Sequence, residues 1–119
     1  MKICYIMVNN CIFSKLLVNN LNKLGNEVFL ITNNLDKDLN VKQYILNRGI
    51  PYGPKESMFR FAFSPLSILK VRKIIEKEKP DIIHAHYSLH AGLIASLATK
   101  RRFILSCWGS DIYMGLPGY

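Results

Sequence analysis

The chain has 119 residues, half of them hydrophobic and a fifth charged, which suits one globular domain with a real core rather than a disordered segment. Sixteen Lys and Arg against eight Asp and Glu give a formal charge of +8, which attracts anionic partners such as a phosphate-bearing ligand or an anionic membrane face. No apolar run reaches the roughly 18 to 20 residues that span a bilayer, and no recognition-helix pattern, zinc-finger spacing or RNP-like strand points to nucleic acid.

In chain order, "MKICYIMV" opens like a signal peptide. Asn9 and Asn10 interrupt it and no small-residue cleavage site follows, so residues 2–8 read as a first β-strand. After the polar turn "NNC", Phe13, Leu17, Leu21 and Leu24 repeat at helical spacing with Leu16 beside them, and Gly25 supplies the stop. "EVFLIT", residues 27–32, is a second strand and "NNLDKDLN" a polar loop. Residues 41–47 fit either a short strand or a helical turn, and "IPYGP" is a loop. Ser64 and Pro65 form an N-cap and first-turn proline for a basic helix that runs to about residue 79, where Pro80 closes it. Residues 81–86 are a strand, Ser88 caps a helix over 89–99, "RFILSC" is a further strand, and "WGSDIY" opens the next loop.

Strands alternating with helices predict an α/β fold with a mostly parallel, doubly wound, Rossmann-like sheet. Ligands of such sheets bind beyond the carboxyl ends of the strands. Three loops fall there: "NNCIFSK", "HYSLH" and "WGSD". No glycine lies between the first strand and its helix, and no G-K-[ST] occurs, which excludes a dinucleotide fingerprint and a P-loop. The Asn9 and Asn10 amides can hydrogen-bond a polar ligand or simply form a turn.

All three histidines lie in "DIIHAHYSLHAG". His84 and His86 are two apart and share a strand face. His84 is interior, His86 stands at the carboxyl edge, and His90 falls in the first turn of the next helix, whose positive end favours neutral imidazole. Zinc needs three or four converging ligands. Asp81 is at the other end of the strand and Asp111 is distant in sequence, so no metal is expected. An acid–base or ligand-contact role and plain packing both remain open for these histidines. In "WGSD", Gly109 permits a tight turn, and Ser110 or Asp111 can cap a helix or meet a ligand. Cys4, Cys11 and Cys107 form no disulfide framework and no C-x-x-C pair, which fits reduced thiols in a cytoplasmic protein.

The segments "MKICYIMVNN", "LNKLGNEVFLIT", "KPDIIHAHYSLHAGLIASL" and "FILSCWGSDIY", in that order, resemble the N-terminal domain of a family 4 glycosyltransferase of the two-domain GT-B fold. The third and fourth carry most of the likeness, which spans nearly all of residues 1–119. The resemblance implies transfer of a sugar, with retention at the anomeric carbon, from a nucleotide-sugar to a glycan or lipid-linked acceptor, as in polysaccharide biosynthesis. It implies no metal and no cofactor beyond the nucleotide-sugar co-substrate. It assigns this domain to the acceptor and the nucleotide-sugar to a C-terminal donor-binding domain that this chain lacks, so the chain is expected to be incomplete and inactive alone.

The resemblance also places His86 near the transferred sugar as the catalytic candidate, and Gly109, Ser110 and Asp111 on the cleft rim. Asn9, Asn10 and Lys15 approach the acceptor, and His90 joins them as a candidate contact. Relatives often carry a His-Arg pair at the start of the first helix, where this chain has Lys15 and Leu16. The rival expectation is a non-catalytic binding or membrane-docking module, a subunit of a split enzyme. It draws on "KESMFRFAFSPLSILKVRKIIEKEK", where Phe59, Phe61 and Phe63 alternate with Lys55, Arg60, Lys70, Arg72 and Lys73, a mixture that suits a peripheral anionic membrane contact at the inner face. The competing reading has Ile68, Val71 and Ile75 facing the core with the charges solvated.

Overall fold

The computed structural model describes residues 1–7, 12–46 and 65–113. Five strands, β1 (Lys2–Met7), β2 (Glu27–Thr32), β3 (Lys42–Ile45), β4 (Ile82–His86) and β5 (Ile104–Ser106), form one parallel sheet in the order β3-β2-β1-β4-β5. The fold is α/β and Rossmann-like. β1 and β2 are apolar and buried on both faces because both faces are covered.

Helix α1 (Ile12–Lys23) covers one face, packing Val18, Leu17 and Leu21 against Ile3, Tyr5, Met7, Val28 and Leu30. Helices α2 (Pro65–Glu78) and α3 (Leu93–Ala98) cover the other. Val71, Ile75, Ile94 and Ala95 meet Cys4, Ile6, Phe29, Ile31 and Ile83 there. Ile68 packs against this core as well, while Lys70, Arg72 and Lys73 are exposed, as the amphipathic reading of α2 requires. A short helix, α4 (Ser110–Tyr113), ends the described chain. No helix among the described residues is long and apolar enough to cross a membrane.

The amino-terminal edge of the sheet is tied by charge. Glu78, buried at the end of α2, pairs with Lys2 at 2.8 Å and also with Lys42 and the Tyr44 hydroxyl. Those partners hold its carboxyl down at about 2. Burial pushes the Cys4 thiol well above its ordinary range, which makes it inert packing.

Two local expectations need correction. The buried stripe of α1 is centred on Ser14 and Val18, whereas Phe13, Leu16 and Leu24 are exposed. Of the two readings of residues 41–47, the strand is the one found: Lys42–Ile45 form β3, paired with β2. Ser88 does not cap a helix over 89–99. A π-helical turn, Ser88–Gly92, intervenes before α3, preceded by Tyr87 at φ 85° with no side-chain cap. The Ser88 N–H is instead satisfied by Asp111 Oδ2 at 2.7 Å, so a tertiary contact replaces the local one. Val8, Asn9, Asn10 and Cys11, the "IPYGP" loop, Lys55, Phe59, Arg60, Phe61, Phe63 and the Ser64 cap lie outside the described residues.

Candidate functional site

Strand register brings the chemistry to one edge. Met7, His86 and Ser106 are partners across β1, β4 and β5, and the row two residues earlier is Tyr5, His84 and Ile104. Side-chain parity then puts both histidines on the α1 face with Tyr5. The helix contributes Ser14, a small polar residue at the point where its apolar stripe meets His86.

His86 is only 7% exposed and uses both ring nitrogens. Tyr5 Oη lies 2.6 Å from Nδ1, and the Trp108 indole N–H also donates to Nδ1 at 3.3 Å. Ser14 Oγ lies 3.0 Å from Nε2. An indole N–H can only donate, so Nδ1 accepts and the proton sits on Nε2, from which it is donated to Ser14. Burial lowers the basicity of this imidazole, and the neighbouring His84 adds to that, while Asp111 opposes it. His86 is therefore a neutral imidazole with a defined tautomer.

His84 is half-buried, bonds Ser106 Oγ through Nε2 at 2.7 Å, and stands edge-on to the Tyr5 ring. His90 is buried within the π-helical turn with its ring stacked on Tyr87 at 5.4 Å. Burial lowers the pKa of each. Among the described residues no three metal-ligating groups converge. Tyr87 itself is strained: φ 85° is a region that side chains other than glycine rarely adopt. It is fixed by its N–H to Ser106 O at 2.9 Å and by its carbonyl, which accepts from Gly92 N at 3.0 Å. Strain thus sits directly after His86.

The "WGSD" turn closes over this edge. Gly109 adopts φ 84° and accepts the N–H groups of Ile112 and Tyr113, both at 3.0 Å. Asp111 is 1% exposed. Its Oδ1 accepts Trp108 N at 2.8 Å and its Oδ2 accepts Ser88 N at 2.7 Å. Burial alone would raise its carboxyl, but these N–H groups outweigh that and bring it below the ordinary value. Asp111 therefore stitches two of the three edge loops together. Ser110 opens α4 beside it. Lys15, the expected acceptor contact, is held by Asp36 at 2.9 Å and Asp38 at 3.3 Å, and the Asp36 bond chiefly keeps its ammonium charged. Asn9 and Asn10 fall outside the described residues.

Four residues that sequence reasoning did not single out complete the arrangement. Tyr5 and Ser14 hold His86, Trp108 covers it, and Phe13 lies 5.5 Å from the Trp108 ring. Tyr5 was open to inference from strand parity. Ser14 was marked by a polar break in an otherwise apolar stripe. Phe13 is 61% and Trp108 45% exposed, so two aromatic rings face solvent beside a buried histidine.

A family model described as glycosyl transferase 4-like matches residues 2–118 of the chain. No curated relative matches it.

Proposed function

Because the chain belongs to the glycosyl transferase 4-like family, we propose that it is the acceptor-binding half of a retaining glycosyltransferase that moves a sugar from a nucleotide-sugar to a glycan or lipid-linked acceptor. The observation that carries this reading is the pairing of a buried, neutral His86 with the exposed rings of Phe13 and Trp108 at the carboxyl edge of the sheet. Aromatic faces accept the C–H faces of a sugar ring, and a nearby imidazole nitrogen accepts a hydrogen bond from a hydroxyl.

The Trp108 bond is longer than those with Tyr5 and Ser14, and Trp108 is the exposed partner. A bound sugar hydroxyl takes its place on Nδ1, while Tyr5 and Ser14 keep the ring aligned. The acceptor oxygen then bonds the anomeric carbon as the bond to the departing diphosphate breaks, and the diphosphate takes the hydroxyl proton. The large stabilisation, that of the diphosphate charge, belongs to a donor-binding domain or subunit rather than to these residues. Asn9, Asn10, Lys15, His90 and the Gly109–Ser110–Asp111 turn frame the acceptor in this proposal. The reaction is placed in the cytoplasm and asks for no metal and no cofactor other than the nucleotide-sugar.

Joining the chain to a C-terminal donor-binding domain of the same family tests the reading: sugar transfer supports it. Sugar binding without turnover in the joined protein would favour a docking module instead. One observation favours a docking element in either case. Leu66 and Leu69 are 62% and 49% exposed and share a flank of α2 with Lys70 and Lys73, the pattern of a helix lying on an anionic membrane. Flotation with anionic vesicles tests it, and an absence of salt-sensitive binding removes it.

A further inference from the structure

The carboxyl ends of α2 and α3 converge at the opposite end of the sheet from His86. They enclose an open groove of about 690 Å³ whose polar walls are Arg72, Glu76, Lys79, Thr99, Lys100 and Arg101. Four cations there face one carboxylate. Two of the cations are already fixed. Arg72 donates from Nε to Ala98 O at 3.1 Å and from Nη2 to Leu97 O at 3.2 Å, and Arg101 donates from Nη2 to Pro80 O at 2.6 Å. Arg72 is thereby held on the closing carbonyls of α3, where the helix end carries partial negative charge, and Arg101 on the loop that follows α2. Each guanidinium has five N–H donors, so both keep donors beyond these bonds.

The end of α3 is thus answered by Arg72 and the loop after α2 by Arg101, without either lysine. Among the described residues neither Lys79 nor Lys100 forms an ion pair. Lys79 also adopts φ 46°, a conformation usual for glycine at the end of a helix and costly for lysine by about 1 kcal/mol. The fold accepts that cost at the residue that carries an ammonium group to the groove.

We propose that this groove binds a phosphate group carrying two or more negative charges, held by the prefixed Arg72 and Arg101 and closed by Lys79 and Lys100. Arginine forks suit phosphate oxygens, and mobile ammonium groups add charge without demanding geometry. Glu76 opposes the ligand and limits its affinity. The site is separate from the sugar-transfer reading and stands or falls without it. A free diphosphate and a phospholipid headgroup share this chemistry.

Two titrations of the full chain separate the sources: inorganic pyrophosphate by calorimetry, and vesicles of phosphatidylglycerol in phosphatidylcholine by sedimentation. The decisive comparison sets Lys79→Gln with Lys100→Gln against Lys23→Gln with Lys37→Gln, which removes equal charge from exposed positions that line no part of the groove. All variants are first checked for unchanged circular dichroism. The proposal predicts single-site binding that weakens at least about tenfold in the groove variant and little in the other, and tightens in Glu76→Gln. If pyrophosphate shows this pattern the ligand is a soluble phosphate; if only vesicles do, it is a lipid headgroup. Equal loss in the two double variants means bulk charge and overturns the site, as does no binding to either probe.

Discussion

Trp108 donates its indole N–H to Nδ1 of His86 across 3.3 Å, with the two rings 4.8 Å apart. The chain has one tryptophan, so indole emission comes from this residue alone. A protonated imidazole quenches indole emission more strongly than a neutral one, and it cannot accept the indole N–H. Emission is therefore expected to fall on acidification with a midpoint below 6.5, because burial lowers the pKa of His86. His86→Gln should abolish the transition and His90→Gln should leave it. A midpoint at or above 6.5 would contradict the buried, neutral imidazole.

Asp111 joins two loops through Ser88 and Trp108, and its removal strands two backbone N–H groups. Asp111→Ala is expected to cost about 1–3 kcal/mol in urea unfolding, and Asp111→Asn less, since the amide oxygen keeps one acceptor. The same change should free Trp108, seen as stronger acrylamide quenching. A loss in Asp111→Ala under about 0.5 kcal/mol, the range of ordinary surface changes, would argue against the stitch.

Two glycines should respond with opposite sign. Gly109 sits at φ 84° with no heavy atom within 4 Å of an added Cβ, so Gly109→Ala costs only its backbone strain, about 1–2 kcal/mol. At Gly92 the added Cβ would meet Leu105 Cδ1 at 2.8 Å, but Leu105 is 41% exposed and can turn aside. Helical backbone there favours alanine, so Gly92→Ala should be neutral or slightly stabilising. Thermal melts of the pair check both signs.

Stability should fall in two separate acid windows. All three histidines have folded pKa values pushed below 6.5 by burial, so the unfolded chain takes up more protons. Their contribution is complete above about 6.5 and is lost as pH drops toward the folded values. Glu78 is held at about 2 against an ordinary 4.5, so its contribution is present above 4.5 and lost between there and about 2. Urea midpoints across this range should show both declines, and Glu78→Gln should shrink the lower one while leaving the part due to Asp111, whose carboxyl is also held below its ordinary value.

The sequence was most informative where local pattern and tertiary demand coincide. The run "EVFLIT" matches β2 from end to end because a doubly covered central strand leaves little room for anything but apolar residues. His86 was separable from His84 and His90 because its place at the end of β4 follows from strand length alone. The site's supporting cast was harder to see. The face of α1 turned from Phe13 to Ser14 because a histidine edge needs a small hydroxyl there, and helical spacing of leucines cannot register that. The π-helical turn at Ser88 depends on Asp111, a residue 23 positions away, and local capping rules contain no such term. The Trp108–His86 bond likewise joins residues 22 apart that only the parallel register brings together.

The most direct test of the account is the turnover number for sugar transfer by His86→Ala in the chain joined to a donor-binding domain, measured against the unaltered joined enzyme with both confirmed folded. The account predicts a fall of about 100-fold in kcat, the scale of a lost orienting contact on the reacting sugar, with the KM for the nucleotide-sugar little changed. A His86→Ala enzyme that transfers sugar at the unaltered rate would contradict it.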